Sequence, residues 1–283
     1  MNVTADKTTR PTSSLPRYSL LLLTAAFLAF SAVAWPANAA LYTLEDQNST
    51  VDVEADSDEG ASSWVVDGTD HMEQQWFWVR LGDGPEQPIN AIDDDGPLVS
   101  HQDNDFDPGN ESLQLRYEGF GLQIDVSLEL AGSAQGTGVS QLIEAITIHN
   151  TGEGELDLHF YQYVDLDLAG TAQDDTVEMN LPFGVTQIDS LGWVSEAADT
   201  PIPQRYEAGL VPTIINKLND NDADDLANLP GPTTGDVAWA FQWDISLAPE
   251  GSFIISKSKR LVVPEPATLG LLLLGGLIAL KRR

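Results

Sequence analysis

The chain has 283 residues, of which 13 are basic and 44 acidic, for a formal net charge of −31, and it has no cysteine. So negative a field repels nucleic acid and anionic lipid surfaces, so no nucleic-acid partner is expected, whereas divalent cations suit it. Without cysteine a disulfide framework is excluded, and the fold must hold by packing, with or without bound metal.

At the start of the chain, Lys7, Arg10 and Arg17 precede an apolar run over residues 20–34, and Ala37-Asn38-Ala39 offers a small-x-small exit. Basic flank, short apolar run and small residues in that order describe a secretory signal peptide, with cleavage after Ala39 or Ala40. Residues 1–40 are therefore set apart from the body, residues 41–263. The body keeps seven basic and 42 acidic residues, a net −35, and is long enough for one large β domain or two small ones.

Along the body the hydrophobic pattern has period two. "SSWVVDG" and "MEQQWFWVRLG" read as early strands, with Trp76 and Trp78 on the opposite face from Phe77. Residues 90–112 are acidic and turn-forming without apolar periodicity, the mark of a functional or disordered loop. Residues 113–130 alternate around a break at Gly119 to Gly121 and read as a hairpin. "QLIEAITIHN" and "ELDLHFYQYVDLDL" read as a second pair across "TGEG", and "DVAWAFQWDISLA" with "SFIISKSKRLVV" as a third across Pro249-Glu250-Gly251. Short helical pieces are expected near residues 212–218 and 224–229, and residues 199–232 read as an inserted flap. The fold class is all-β: an antiparallel two-sheet β-sandwich body, flanked by an N-terminal signal helix and a C-terminal transmembrane-type helix.

Oxygen-ligand chemistry is the first to weigh. Asp220, Asp222 and Asp224 alternate as at the opening of an EF-hand-like calcium loop, but Asp225 stands where the sixth position needs glycine and Gly231 where the twelfth needs glutamate. Asp103, Asp105 and Asp107 repeat the alternation, again without the closing glutamate. Asp165, Asp167, Asp174 and Asp175 make a third acidic group, in which alternation puts Asp165 and Asp167 on one strand face: a strand-edge metal site or a solvated face. Calcium is thus the one cofactor suggested. Paired carboxylates for glycoside hydrolysis carry no information among so many acids. No Gly-x-Ser-x-Gly, His-Glu-x-x-His, phosphate loop or cysteine nucleophile is present, and the four histidines are scattered, with His149 and His159 as cross-strand neighbours if the second pair closes. Trp239, Phe241 and Trp243 share one face, a core stripe or, less simply, a sugar-stacking platform.

The tail is the most specific segment. Pro264-Glu265-Pro266 forces an extended peptide. Fourteen uncharged residues follow, from Ala267 through Leu271, Leu272, Leu273 and Leu274 to Leu280, and Lys281, Arg282 and Arg283 close the chain. At about 1.5 Å per residue the helix spans roughly 21 Å against a hydrocarbon core of about 30 Å, a short span with its basic tip on the cytoplasmic side. These residues resemble the PEP-CTERM sorting signal of Gram-negative bacteria, a motif, short helix and basic cluster at the extreme C-terminus of a chain with a signal peptide. The resemblance covers residues 262–283 only. It implies recognition of Pro264, Glu265 and Pro266 by an exosortase, transient anchoring in the inner membrane, cleavage near the motif, and an association with exopolysaccharide. A plain uncut anchor is the simpler alternative.

The expectation is an exported structural or adhesive protein: an inner-membrane-tethered precursor, then periplasmic, cell-surface or extracellular, and not an enzyme. Two alternatives remain, a carbohydrate-binding module for exopolysaccharide and a polysaccharide-acting hydrolase.

Overall fold

The structure is a computed structural model, and it describes residues 41–104, 108–180 and 184–263, all within one compact unit. The signal segment with Ala37, Ala39 and Ala40, the loop acids Asp105 and Asp107, and the tail from Pro264 to Arg283 lie outside the described residues. Among the described residues no helix is long and apolar enough to cross a membrane.

The strands, in chain order, are β1 (Leu41–Asp46), β2 (Ser49–Glu54), β3 (Gly60–Val66), β4 (Thr69–Asp70), β5 (Gln74–Leu81), β6 (Gln87–Pro88), β7 (Leu98–Gln102), β8 (Ser112–Gly119) and β9 (Leu122–Ala131). They continue as β10 (Val139–Asn150), β11 (Leu156–Asp165), β12 (Asp175–Asn180), β13 (Gly184–Ile188), β14 (Trp193–Thr200), β15 (Arg205–Leu210), β16 (Thr233–Gly235), β17 (Val237–Leu247) and β18 (Ser252–Val262). One short helix, α1 (Thr213–Leu218), stands where proline-led helical residues were expected. The first sheet runs β1-β2-β3-β5-β11-β17-β15, with β4 on β3 and β6 on β5. The second runs β16-β12-β13-β14-β18-β10-β9-β8-β7. Every ladder is antiparallel except the short contact of β3 with β5. The two-sheet β-sandwich is therefore what the period-two pattern specifies.

Where β3 meets β5, Gly60 is required. Its φ is +60°, and a Cβ there would fall 2.1 Å from the Trp76 ring and 2.6 Å from the Gln75 carbonyl oxygen.

Two expected hairpins are corrected. β8 and β9 do pair through Gly119 to Leu122, but β10 and β11 lie in different sheets, as do β17 and β18. The short turns "TGEG" and Pro249-Glu250-Gly251 instead carry the chain from one sheet to the other. The physical device is Asn150, which is 1% exposed. Its Nδ2 donates to the carbonyls of Gly154, Leu247 and Ala248, and its Oδ1 accepts from the Gly152 N–H. Its backbone exchanges hydrogen bonds with Gly251 and Glu250, so one side chain clamps both crossovers. His149 therefore faces Ser252 on β18 and is no neighbour of His159. The loop of residues 90–112 is also less irregular than its composition implies, because β7 forms within it and pairs with β8.

The core lies between the sheets. Phe77 stacks on Phe160 with centroids 5.6 Å apart, and Trp239, Phe241 and Trp243 line the same inner face, each at most 1% exposed. That burial settles the aromatic stripe as core and removes it as a sugar platform. A charged group sits inside this apolar layer: Glu144 on β10, Glu196 on β14, and Lys257 and Lys259 on β18, with side chains fully buried. Glu144 binds both ammonium groups, one through each oxygen. Glu196 Oε1 lies 3.4 Å from each lysine and accepts from Gln162 Nε2 at 2.8 Å, while Oε2 accepts from Trp239 Nε1 at 3.0 Å. Lys257 also lies over the Phe77 ring at 5.1 Å. Burial alone would raise the Glu144 carboxyl, but the two lysines outweigh it and hold it below its ordinary range. Burial pushes Lys257 down to about 8. Two positive and two negative charges thus cancel and are hydrogen-bonded, the condition under which buried charge is tolerated.

Candidate functional site

The other face of the first sheet is where polar chemistry gathers. Alternation on β11 turns Asp157, His159, Tyr161, Tyr163 and Asp165 to this face. Register sets Arg80, Trp78 and Trp76 of β5 beside His159, Tyr161 and Tyr163, and Asp244, Gln242 and Ala240 of β17 on their other side. β15 adds Arg205 beside Gln242 and Glu207 beside Ala240.

Of residues 199–232, expected as an inserted flap, the first part belongs instead to the sheets as the end of β14 and as β15, and the segment of residues 211–229 lies over the middle of this face as a flap. Its tethers are specific. The Asp224 carbonyl accepts from Arg80 Nη1 and from the Tyr161 hydroxyl, both at 2.9 Å, and the Asp224 N–H donates to Glu86 Oε1 at 3.0 Å. The Leu226 and Ala227 N–H groups donate to Gln242 Oε1 and Glu207 Oε2. Lys217 pairs with Glu207 at 2.8 Å, and Trp78 Nε1 donates to Asn219. These bonds explain why the expected helix over residues 224–229 does not form. The backbone donors there are engaged by side chains of the sheet, Asn228 has a left-handed φ of 57°, and Leu229 bridges to Glu207. Glu86 is fully buried at its side chain, and burial raises its carboxyl despite donors from Asp224, Tyr161 and Arg80. Its Oε2 has no partner.

The two ends of the face are not covered in this way. At one end a groove of about 510 Å³ opens, lined by Gly82, Asp83, Asp157, His159, Asp244 and Ser246 among others. His159 Nδ1 lies 2.6 Å from Asp244 Oδ1. An ionised carboxylate only accepts, so Nδ1 carries the proton, and Nε2 is an acceptor when the imidazole is neutral and a donor when it is protonated. Gln242 Nε2 donates to both Asp225 and Asp244, at 2.8 and 2.7 Å, and Arg205 reaches Asp225 at 3.0 Å. Burial favours the neutral Asp225, but hydrogen bonds from Gln242 and Arg80 prevail and hold its carboxyl below its ordinary range. His159, Asp225 and Asp244 bring ligand atoms within 4.8 Å of one another. Arg80 and Arg205 both pair with Asp225, so this trio is an oriented imidazole with carboxylates held in place by arginine.

The chain is similar in fold to several solved structures. A bacterial glucoamylase complexed with acarbose matches with a TM-score of 0.53 and 9% identity, covering 87% of this chain and 36% of that one. A putative aldose 1-epimerase from Escherichia coli K12 matches at 0.50 and 11% identity, covering 79% and 99%. A galactose mutarotase related enzyme from Lactobacillus acidophilus matches at 0.50 and 9% identity, covering 80% and 99%. The chain spans about a third of the glucoamylase's length. No protein-family model matches the chain, and no curated protein matches it. At such identities the likeness shows the fold. It nevertheless corrects the expectation of a body that is not an enzyme, because solved enzymes are built on this architecture.

The aspartates singled out in the sequence are placed as follows. Asp220 and Asp222 are exposed in a turn where Asp220 Oδ1 accepts from the Asp222 N–H, and Asp224 serves the flap through its backbone. Among the described residues these three do not converge within ligand distance of one another. Asp103 is exposed beyond β7. Asp165 and Asp167 do converge, joined by Asp236. The pairing of His159 with Asp244 was missed, because it depends on the register of two strands some 80 residues apart; the alternation of both strands was its only trace.

Proposed function

We propose that the chain is an exported protein that recognises saccharide through the groove of Asp83, Asp157, His159, Asp244 and Ser246, and that its tail is sorted by an exosortase. The groove carries the reading. Its volume falls within the roughly 300–1,000 Å³ of small-ligand sites, and its rim offers carboxylate acceptors and an imidazole fixed by Asp244. Fixed acceptors suit the hydroxyl donors of a sugar, and the surrounding negative charge favours a neutral or amino sugar over a uronate. The fold's likeness to a glucoamylase and a putative aldose 1-epimerase supports a sugar as the ligand. In the tail, Pro264-Glu265-Pro266, the uncharged run from Ala267 to Leu280 and the cluster Lys281, Arg282 and Arg283 support export, inner-membrane tethering and release towards the matrix.

The oriented imidazole favours a second reading, that the groove acts on the sugar it holds. A neutral histidine with Nδ1 held by a carboxylate presents Nε2 as a general base that would take the anomeric hydroxyl proton. A carboxylic acid opposite it would protonate the ring oxygen as the bond from C1 to that oxygen breaks, and the reverse transfers would close the ring on the other face. Polarimetry with freshly dissolved aldoses tests this: anomer equilibration faster than buffer, abolished in His159→Ala, supports catalysis, and a rate equal to buffer ends it.

Intact-mass analysis of the protein from cells with and without an exosortase tests the sorting. Loss of residues 1–40 in both strains, with loss of the tail only where the exosortase is present, is the expected result. Uncut chains in both strains would refute it.

A further inference from the structure

At the far end of the same sheet face, opposite the groove, we propose a calcium site formed by Asp165, Asp167 and Asp236. Asp165 closes β11, Asp167 follows it by two residues, and Asp236 immediately precedes β17, whose Ala238 is paired with Asp165. The three bring one ligand oxygen each within 4.8 Å of one another. The adjoining segment is fixed alongside: the Glu73 N–H donates to the Asp165 carbonyl at 3.1 Å, and the Asp167 N–H donates to the His71 carbonyl at 3.0 Å.

A group of acids alone does not make a site; the state of Asp165 does. This residue is 5% exposed. Its Oδ2 accepts from the Tyr163 hydroxyl at 3.2 Å, but its Oδ1 has no hydrogen-bond partner. A buried carboxylate oxygen without a donor is costly unless a cation or water meets it. The charges acting on Asp165 are Asp167, Asp236 and Glu73, and those acting on Asp167 are Asp236, Glu73 and Asp70, all of one sign. Asp70 is already engaged, accepting from Ser63, from the Trp64 N–H and from the Met72 N–H, so it holds the wall while Glu73 stands at the exposed rim. At the groove end, by contrast, Arg80 and Arg205 both pair with Asp225. Here the donors are all oxygen, a hard-ligand set, and they come from a strand end and a loop, the adaptable geometry that suits calcium better than magnesium. Backbone carbonyls and water would complete the shell. The inference does not depend on the saccharide reading.

The test uses the full chain in mild detergent, freed of divalent ions by chelation. Calcium is titrated while melting temperature is followed, and terbium is then titrated with excitation through the aromatic side chains, since Tyr163 touches Asp165. The expected result is a rise in melting temperature with an apparent Kd of about 10⁻⁴–10⁻³ M, as for extracellular calcium modules, and sensitised terbium emission that calcium competes away. Asp167→Asn and Asp236→Asn should each weaken both responses at least tenfold. In chelator these two variants should melt at or above the wild type, because like-charge repulsion is relieved, which separates loss of the site from loss of the fold. Asp222→Asn should respond as wild type. No response at millimolar calcium would overturn the site, and so would a wild-type response in both Asp167→Asn and Asp236→Asn. A response lost in Asp222→Asn and kept in Asp167→Asn would overturn it too, by moving the cation to the flap.

Discussion

Replacing Lys259 by methionine interrogates the charged group in the core directly. In the native protein Lys259 faces Glu144 Oε1 and lies 3.4 Å from Glu196 Oε1, with no solvent exposure on any of the three side chains. Methionine fills the stem but leaves two buried carboxylates sharing one ammonium, Lys257. Removing one partner of a buried pair typically costs about 3–5 kcal/mol. For a domain of this size each kcal/mol shifts the midpoint by roughly 2–4 °C, so a fall of about 6–20 °C is expected. The paired variant Lys259→Met/Glu144→Gln restores neutrality, leaving Lys257 with Glu196 at 3.4 Å and with Gln162 and Trp239 still donating to that carboxylate. It should be more stable than Lys259→Met alone, a coupling of more than about 1 kcal/mol, in line with directly contacting residues. Urea unfolding followed by tryptophan fluorescence reads both quantities. A loss under about 1 kcal/mol for Lys259→Met, or strict additivity in the pair, would refute the reasoning that these four charges balance as a unit.

Three further outcomes follow from the same geometry. Asp175 is wholly buried, with Leu168 and Gln187 donating to Oδ2 and nothing to Oδ1. Burial, with Asp189 and Asp174 adding to it, pushes its carboxyl up to about 7. Since the folded value lies above the ordinary 3.8, this group's contribution is fully present below about pH 4 and lost as pH rises through 7, roughly 4 kcal/mol at about 1.36 kcal/mol per pK unit. Urea midpoints in chelator should show Asp175→Asn nearly equal to wild type at low pH and more stable at pH 8; equal stability at both would be contrary. Gly60→Ala meets Trp76 at 2.1 Å with a φ of +60°, so thermal melts should show a loss of more than about 2 kcal/mol, and a neutral effect would contradict the close approach. Arg80→Met removes the donor to Glu86, the Asp224 carbonyl and Asp225. Amide exchange at Leu226 and Ala227 should quicken at least tenfold while β10 and β18 stay protected; unchanged exchange would mean that the flap is held by packing alone.

Much of the fold was legible because alternation is a local signal. The 113–130 hairpin, the opposition of Phe77 to Trp76 and Trp78, and the common face of Trp239, Phe241 and Trp243 all follow from period two and appear as such. Partner choice was not legible. A short polar turn between two alternating runs predicts a hairpin, and only Asn150, a single residue clamping two crossovers, reveals that β10–β11 and β17–β18 bridge the sheets. The site divides in the same way. Acidic spacing pointed to Asp165 and Asp167 but also to Asp220, Asp222 and Asp224, and burial at a strand end, which composition does not encode, separates the two. His159 and Asp244 meet only because β11 and β17 share a register.

We propose above that the groove beside His159 and Asp244 holds saccharide. Isothermal titration of neutral and amino-sugar oligosaccharide fragments into the full chain is the direct test. One saturable site is expected, weakened at least tenfold by Asp244→Ala and by His159→Ala, with Asp222→Asn binding as wild type. No heat with any fragment, or equal affinity in the wild type and both groove variants, would contradict it.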